Sequence, residues 1–116
     1  MNSKEIGKKG EDAAASYLKN KNYKIIERNW KCNIGEADII ALFEDTIIFV
    51  EVKTRTNIEK GLPEDAVGVK KRRKYECIAA MYLQDHDYIN MSVVIFSKEF
   101  HLESKSLLYA RALTRA

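Results

Sequence analysis

The pattern of apolar and polar residues predicts two long strands in the first half of the chain. Apolar residues occupy both faces of Gly35–Phe43 and of Ile47–Thr54, and the acidic pair Glu44-Asp45 separates the two segments. Strands that are buried on both sides of a sheet have this near-continuous apolar composition. Shorter runs predict further strands at Tyr23–Trp30 and Met91–Ser97.

Apolar residues at helical spacing predict three helices around these strands. They lie at Ile6–Lys21, at about Lys70–Asp85 and at Ser104–Arg115, and Pro63-Glu64-Asp65 has the composition of a helix start. The resulting order is α-β-β-β-α-β-α. We therefore expect one α/β domain over residues 1–116, in which helices flank a mixed sheet.

Composition argues against a membrane or secreted protein. The longest apolar run, Cys77–Leu83, has seven residues, whereas a membrane-spanning helix needs about 20. The N-terminal segment carries mixed charges and lacks the apolar stretch of a secretory signal. Cys32 and Cys77 are 45 positions apart without a CxxC or Cys/His cluster, which disfavours a zinc site. We expect a cytoplasmic protein with reduced thiols and no membrane partner.

Basic residues concentrate in one segment. The chain has a formal net charge of +3, but Lys53–Lys74 holds eight lysines and arginines against three acidic residues. Such a segment on an otherwise balanced chain is typical of a polyanion-binding surface. A solvated helix face explains the charge alone equally well.

Charged residues interrupt the two long strands on a face that should pack in the core. Strict alternation places four residues of each strand on this face: Glu36, Asp38, Ile40 and Leu42 in the first, and Ile47, Phe49, Glu51 and Lys53 in the second. A two-residue turn would set Asp38 opposite Glu51, with Cβ atoms about 4.5–5.5 Å apart. Carboxylates this close repel unless one is protonated or a cation lies between them. A hard divalent ion such as Mg²⁺ fits this arrangement.

Two points stay open at this stage. Glu51 could instead pair with Lys53 or Arg55 in a surface ion network. On a helical wheel, Glu11 lies among Ala14, Ala15 and Leu18, on the face that should contact the sheet. It could form a salt bridge with a lysine there, or reach the edge of a metal cleft.

The segments GKKGEDAAASYL, RNW, GEADIIAL and FVEVKTR, followed by a basic helix, resemble the YraN-like family of small bacterial proteins. That family is a predicted nuclease branch of the PD-(D/E)xK superfamily and is related to archaeal Holliday-junction resolvases. The resemblance spans about Ile6–Leu83. It implies a restriction-endonuclease-like αβββαβ core and metal-dependent cleavage of DNA.

The resemblance also implies site residues. The first acid of the superfamily motif falls on Asp38, and its E-x-K falls on Glu51 and Lys53. The helix acid of the family falls on Glu11, and Glu36 matches the glutamate of the GE-x-D motif. With Mg²⁺ or Mn²⁺ as cofactor, Asp38, Glu51 and Glu36 are the expected metal ligands, and whether one or two ions bind stays open.

Two positions depart from the family pattern. Ala37 stands where the superfamily motif has proline, and other members of this family also lack that proline. Asn90-Met91-Ser92-Val93 stands where members commonly have Arg-Phe-Asp-Val. The second departure leaves open any role for the last strand but does not affect the expected catalytic face.

The expected chemistry assigns a role to the lysine of the motif. Lys53 could orient the attacking water or neutralise charge on the phosphate. Phosphate contacts are expected from the basic segment: Arg55, Lys70, Lys71, Arg72, Arg73 and Lys74. No base-reading motif is visible, so DNA would be selected by structure rather than by sequence. The resolvase analogy implies a homodimer. A non-catalytic nucleic-acid-binding module and a structural or protein-interaction role are the alternatives.

Overall fold

A computed structural model describes residues 2–55, 69–86, 92–101 and 106–115, with side-chain surroundings for residues 2, 4–54 and 73–86. The described elements, in chain order, are α1 (Ser3–Asn20), β1 (Lys24–Lys31), β2 (Glu36–Phe43), β3 (Thr46–Arg55), α2 (Val69–His86), β4 (Ser92–His101) and β5 (Ser106–Arg115). The predicted αβββαβ order and the α/β fold class are confirmed. The helix start expected at Pro63 lies outside the described residues.

The strands form one mixed sheet in the order β1-β2-β3-β4-β5. The pairs β1–β2, β2–β3 and β4–β5 are antiparallel, whereas β3 and β4 are parallel. A tight turn at Glu44-Asp45 joins β2 to β3, with Glu44 in the left-handed region at φ 55°. It pairs Phe43 with Thr46 and Ile40 with Phe49, which confirms the predicted register as far as Ile39–Val50. The predicted pairing of Asp38 with Glu51 lies beyond the end of this ladder, and strict alternation does not hold there, because Ala37 packs on the same face as Ile40.

The predicted C-terminal helix is wrong. Residues Ser106–Arg115 form β5, which pairs antiparallel with β4 along its length. Leucine, alanine and arginine in this segment favour a helix when they stand alone. The unpaired N–H and C=O groups along the edge of β4 offer a ladder of hydrogen bonds that local propensity does not register.

Each helix covers one face of the sheet. On the α1 face, Ala14, Ala15 and Leu18 pack against Ile39, Ile48 and Val50. On the α2 face, Tyr75, Ile78, Ala79 and Tyr82 pack against Ala37, Ile40, Ile47 and Phe49. In the part of the chain that the structure describes, no helix is long and apolar enough to cross a bilayer.

Helix α1 approaches β3 closely at Gly10, which is buried. A Cβ added at Gly10 would overlap the hydroxyl of Thr54, near the end of β3. The same addition at Gly7, one turn earlier, would meet no atom within 4 Å. The absence of a side chain at Gly10 therefore sets how near the following residue, Glu11, comes to the end of β3.

We expect Gly10→Ala to lower the free energy of unfolding by about 1–3 kcal/mol, because helix and strand must separate to admit the methyl group. Gly7→Ala is the matched control and should raise it by roughly 0.5–1 kcal/mol, since alanine is the better helix former in open space. Urea unfolding of the two variants measures both effects. Equal responses would contradict the close approach at Gly10.

Candidate functional site

The ladder between β2 and β3 ends at the pair Ile39–Val50, and Asp38 is the next residue of β2. Its Oδ2 atom accepts a hydrogen bond of 2.8 Å from the backbone N–H of Val52. The carboxylate of Asp38 thus accepts a hydrogen bond from the backbone of β3 just beyond the last residue pair of the ladder. Asp38 is half-buried, and the Oε1 atom of Glu51 is also buried.

Burial raises the pKa of Asp38 from 3.8 to about 7. The hydrogen bond from Val52 acts in the opposite direction, because it stabilises the charged form. The negative charges of Glu11, Glu51 and Glu36 raise the pKa further. These three carboxylates therefore lie within electrostatic reach of Asp38, and we call the four residues the acidic cluster.

Helix α2 covers one side of the acidic cluster. Tyr75 is 4% exposed and forms a hydrogen bond with the backbone of Asp38. Burial raises the pKa of the Tyr75 hydroxyl above its ordinary value, and the charges of Asp38 and Glu51 add to the effect. One residue earlier, the stem of Lys74 lies against Gly35, where an added Cβ would stand 2.7 Å from Lys74 Cε. The start of α2 thus lies beside the start of β2.

Strand β1 provides contacts on the α1 side that the sequence did not reveal. Glu11 Oε1 accepts a 3.0 Å hydrogen bond from Asn29 Nδ2, and Asn29 has left-handed backbone geometry at φ 53°. Its neighbours contact opposite helices, because Arg28 bonds Asp12 on α1 while Trp30 packs edge-on against Tyr82 on α2. Asparagine adopts the left-handed conformation more readily than most residues, and this was the available signal.

The structure brings together some of the predicted site residues and not others. Asp38, Glu51, Glu36 and Glu11 converge, whereas Lys53 is exposed two positions beyond Glu51. Of the expected phosphate contacts, Arg73 and Lys74 are exposed on α2. The side chains of the remaining ones lie outside the described residues: Arg55, Lys70, Lys71 and Arg72. Among the described residues, no three acidic, histidine or cysteine side chains form a ready-made group for holding a metal ion.

Comparison with known proteins places the chain in a family. The profile of the family described as Uncharacterised protein family UPF0102 matches residues 10–98. The chain belongs to the UPF0102 family. A UPF0102 protein of Caldanaerobacter subterraneus is 49% identical over 88 residues, which cover 76% of this chain and 72% of the relative. Another, from Clostridioides difficile, is 44% identical over 107 residues, or 92% of this chain and 94% of the relative.

The UPF0102 match spans most of the segments that carry the YraN-like resemblance, from Gly10 into β4. All four residues of the acidic cluster fall inside it. A third relative, the UPF0102 protein of Dictyoglomus turgidum, is 45% identical over 85 residues, which cover 73% of this chain and 72% of the relative. The family membership predicted from the sequence is confirmed.

Proposed function

We propose that this UPF0102 protein is a Mg²⁺- or Mn²⁺-dependent endonuclease that hydrolyses phosphodiester bonds in DNA. The observation that carries the proposal is the acidic cluster, in which the charges of three glutamates act on the half-buried carboxyl of Asp38. Such a cluster is unfavourable for the fold unless a proton or a cation offsets its charge. Groups with strongly perturbed pKa values concentrate at functional sites.

The donor set fits a hard divalent cation. Mg²⁺ is usually held by one or two carboxylates together with water and phosphate oxygens, so it does not need three protein ligands. Asp38 and Glu51 would hold the ion, with Glu36 as a further ligand. When bound, such an ion lowers the pKa of a water molecule and polarises the phosphate.

The remaining residues supply charge and position. Lys53 follows Glu51 on the same face of β3 and would neutralise charge that develops on the phosphate oxygens, or orient the attacking water. Glu11 is fixed by the amide of Asn29, at the side of the cluster that α1 approaches. We assign Glu11 to positioning water or metal at that side.

The resemblance described above and the αβββαβ order support membership of the PD-(D/E)xK superfamily. By that analogy the substrate would be branched or otherwise structured DNA, and the active form a homodimer. Both cysteines are free thiols, which agrees with action in the cytoplasm.

The decisive experiment incubates purified protein with linear, single-stranded, flapped and four-way DNA in Mg²⁺ or Mn²⁺. We expect cleavage of at least one substrate, and its loss in EDTA. Lys53→Ala, prepared in parallel, controls for contaminating nucleases. Binding of DNA without cleavage would favour a non-catalytic binding module, and neither binding nor cleavage would favour a protein-interaction role.

Replacing Lys70 and Lys74 together by alanine should weaken DNA binding. Each lost phosphate contact should flatten the plot of log affinity against log salt concentration by roughly one unit. Fluorescence anisotropy over a salt series measures the slope. A double replacement of Lys19 and Lys21 by alanine is the control, since both lysines are exposed at the C-terminal end of α1. It removes the same charge and should leave the slope unchanged. Equal slopes in the two double variants would show that α2 does not contact phosphates.

A further inference from the structure

A groove of about 780 Å³ runs between the N-terminal half of α1 and the neighbouring ends of β1 and β2. Its basic lining residues are Lys4, Lys8, Arg28 and Lys31, none of which belongs to the basic segment of α2. Glu11 and Glu36 of the acidic cluster also line it. The groove therefore connects a row of cations to the carboxylates of the candidate site.

Two of these cations are held in place by one carboxylate. Asp12 accepts a 2.7 Å hydrogen bond from Arg28 and a 3.1 Å hydrogen bond from Lys8. These bonds lower the pKa of Asp12, with that from Arg28 the larger cause. The side chain of Arg28 is 35% exposed, so the guanidinium is oriented and still accessible to a ligand. A planar, preorganised guanidinium suits a phosphate oxygen better than a mobile lysine does.

We propose that this groove holds the sugar–phosphate backbone of the nucleic-acid strand to be cut, and that divalent cations strengthen the contact. The proposal rests on the endonuclease function proposed above. Four basic and three acidic side chains line the groove, and Asp12 pairs with two of the four cations, so the local formal charge is zero. A divalent ion at Glu11 or Glu36 raises the local charge to +2. Nucleic acid and cation should therefore bind cooperatively, because each increases the affinity for the other.

Gly7 offers a way to obstruct the groove without removing charge. It lines the groove from α1, and a side chain added there meets no neighbouring atom within 4 Å. Gly7→Gln places a neutral side chain in that space and favours the helix. Ser16→Gln is the matched control, since Ser16 is exposed on the same helix and does not line the groove.

The test measures anisotropy of a fluorescein-labelled single-stranded oligonucleotide in Ca²⁺, which binds carboxylate oxygens as Mg²⁺ does. We expect Lys8→Ala and Arg28→Ala each to weaken binding about three- to tenfold and to lower the salt slope by about one. Arg28→Lys keeps the charge but loses the planar guanidinium, so its affinity should lie between those of Arg28→Ala and wild type, with the wild-type salt slope. Lys19→Ala and Ser16→Gln should bind like wild type, and Gly7→Gln should bind more weakly.

The coupling is measured by repeating the titrations in EDTA. Removing Ca²⁺ should weaken wild-type binding about tenfold or more, and weaken the Lys8→Ala/Arg28→Ala double variant by a smaller factor. Groove variants that bind like wild type, or an EDTA effect of the same size in both proteins, would overturn the inference.

Cleavage assays on the same preparations separate this inference from the proposed function. If wild type cleaves DNA and the groove variants bind and cleave equally well, the groove inference fails while the endonuclease proposal stands. If the groove variants lose binding but wild type cleaves no substrate, the endonuclease proposal fails and the groove remains a nucleic-acid-binding site.

Discussion

Replacing Lys53 by alanine is expected to remove most DNA cleavage while leaving metal affinity nearly intact. As a cation, Lys53 cannot be a metal ligand, but its position two residues after Glu51 suits it to stabilise charge on the phosphate. Loss of a group that stabilises the charge of the transition state typically lowers the rate by about 10²–10³-fold. Single-turnover cleavage measures the rate, and metal titration of the same protein measures the affinity.

Glu51→Gln is the companion variant, with a different expected outcome. It removes a charge that would hold the cation, so metal affinity and cleavage should fall together. DNA affinity of Lys53→Ala should decrease only slightly, because one charge is lost from the binding surface. Cleavage by Lys53→Ala at the wild-type rate would show that the activity comes from a contaminant or from other residues.

Replacing Asp38 by asparagine is expected to stabilise the metal-free protein at neutral and higher pH. A carboxyl with a pKa of about 7 in the fold and 3.8 in the unfolded chain destabilises the folded state once the unfolded chain releases its proton. The free energy of unfolding should fall as pH rises from about 4 to 7, by up to ~4 kcal/mol from this group alone. Asparagine does not titrate and can still accept the hydrogen bond from Val52.

Urea unfolding of both proteins in EDTA over that pH range isolates the contribution of Asp38. Glu76→Gln, an exposed replacement on α2, should follow the wild-type profile. Adding Mg²⁺ at about pH 8 should stabilise wild type and have a much smaller effect on Asp38→Asn, because a ligand that binds only the folded state stabilises it. Parallel pH profiles would show that the Asp38 carboxylate does not destabilise the fold. Equal responses to Mg²⁺ would show that Asp38 is not a metal ligand.

The sequence was sufficient to predict the centre of the molecule. Apolar residues on both faces identified β2 and β3, and the two-residue turn at Glu44-Asp45 set their register. That register brings Asp38 and Glu51 just beyond the last pair of the ladder, Ile39–Val50, where Asp38 bonds Val52 instead of facing Glu51 in the ladder. Local pattern and tertiary pairing specify the same structure in this region.

The two edge strands of the sheet, β1 and β5, could not be predicted in the same way. Ser106–Arg115 has the composition of a helix, and only the long-range pairing with β4 makes it a strand. Asn29 lies within a strand-like segment, but its left-handed backbone lets Arg28 and Trp30 contact helices on opposite faces. Strict alternation would have placed those two side chains together.

The basic residues of the groove could not be identified from the sequence either. They are spread from Lys4 to Lys31, and only four of the eight lysines and arginines in that stretch line the groove. The basic residues Lys70–Lys74, by contrast, are consecutive in the sequence, which predicts a basic surface directly. Net charge in a window reports on neighbours along the chain, whereas a binding surface is built from neighbours in space.

The cover that Tyr75 provides over Asp38 has a consequence for how the protein folds on the ribosome. All four carboxylates of the acidic cluster precede α2 in the chain and are synthesised before it. Docking of α2 then adds to the burial of the half-buried Asp38, and a bound proton or divalent cation offsets the cost of burying its charge. If the proposed cation binds here, nascent chains should complete this last step faster when magnesium is abundant, and assembly of the domain and binding of the cation would be a single event.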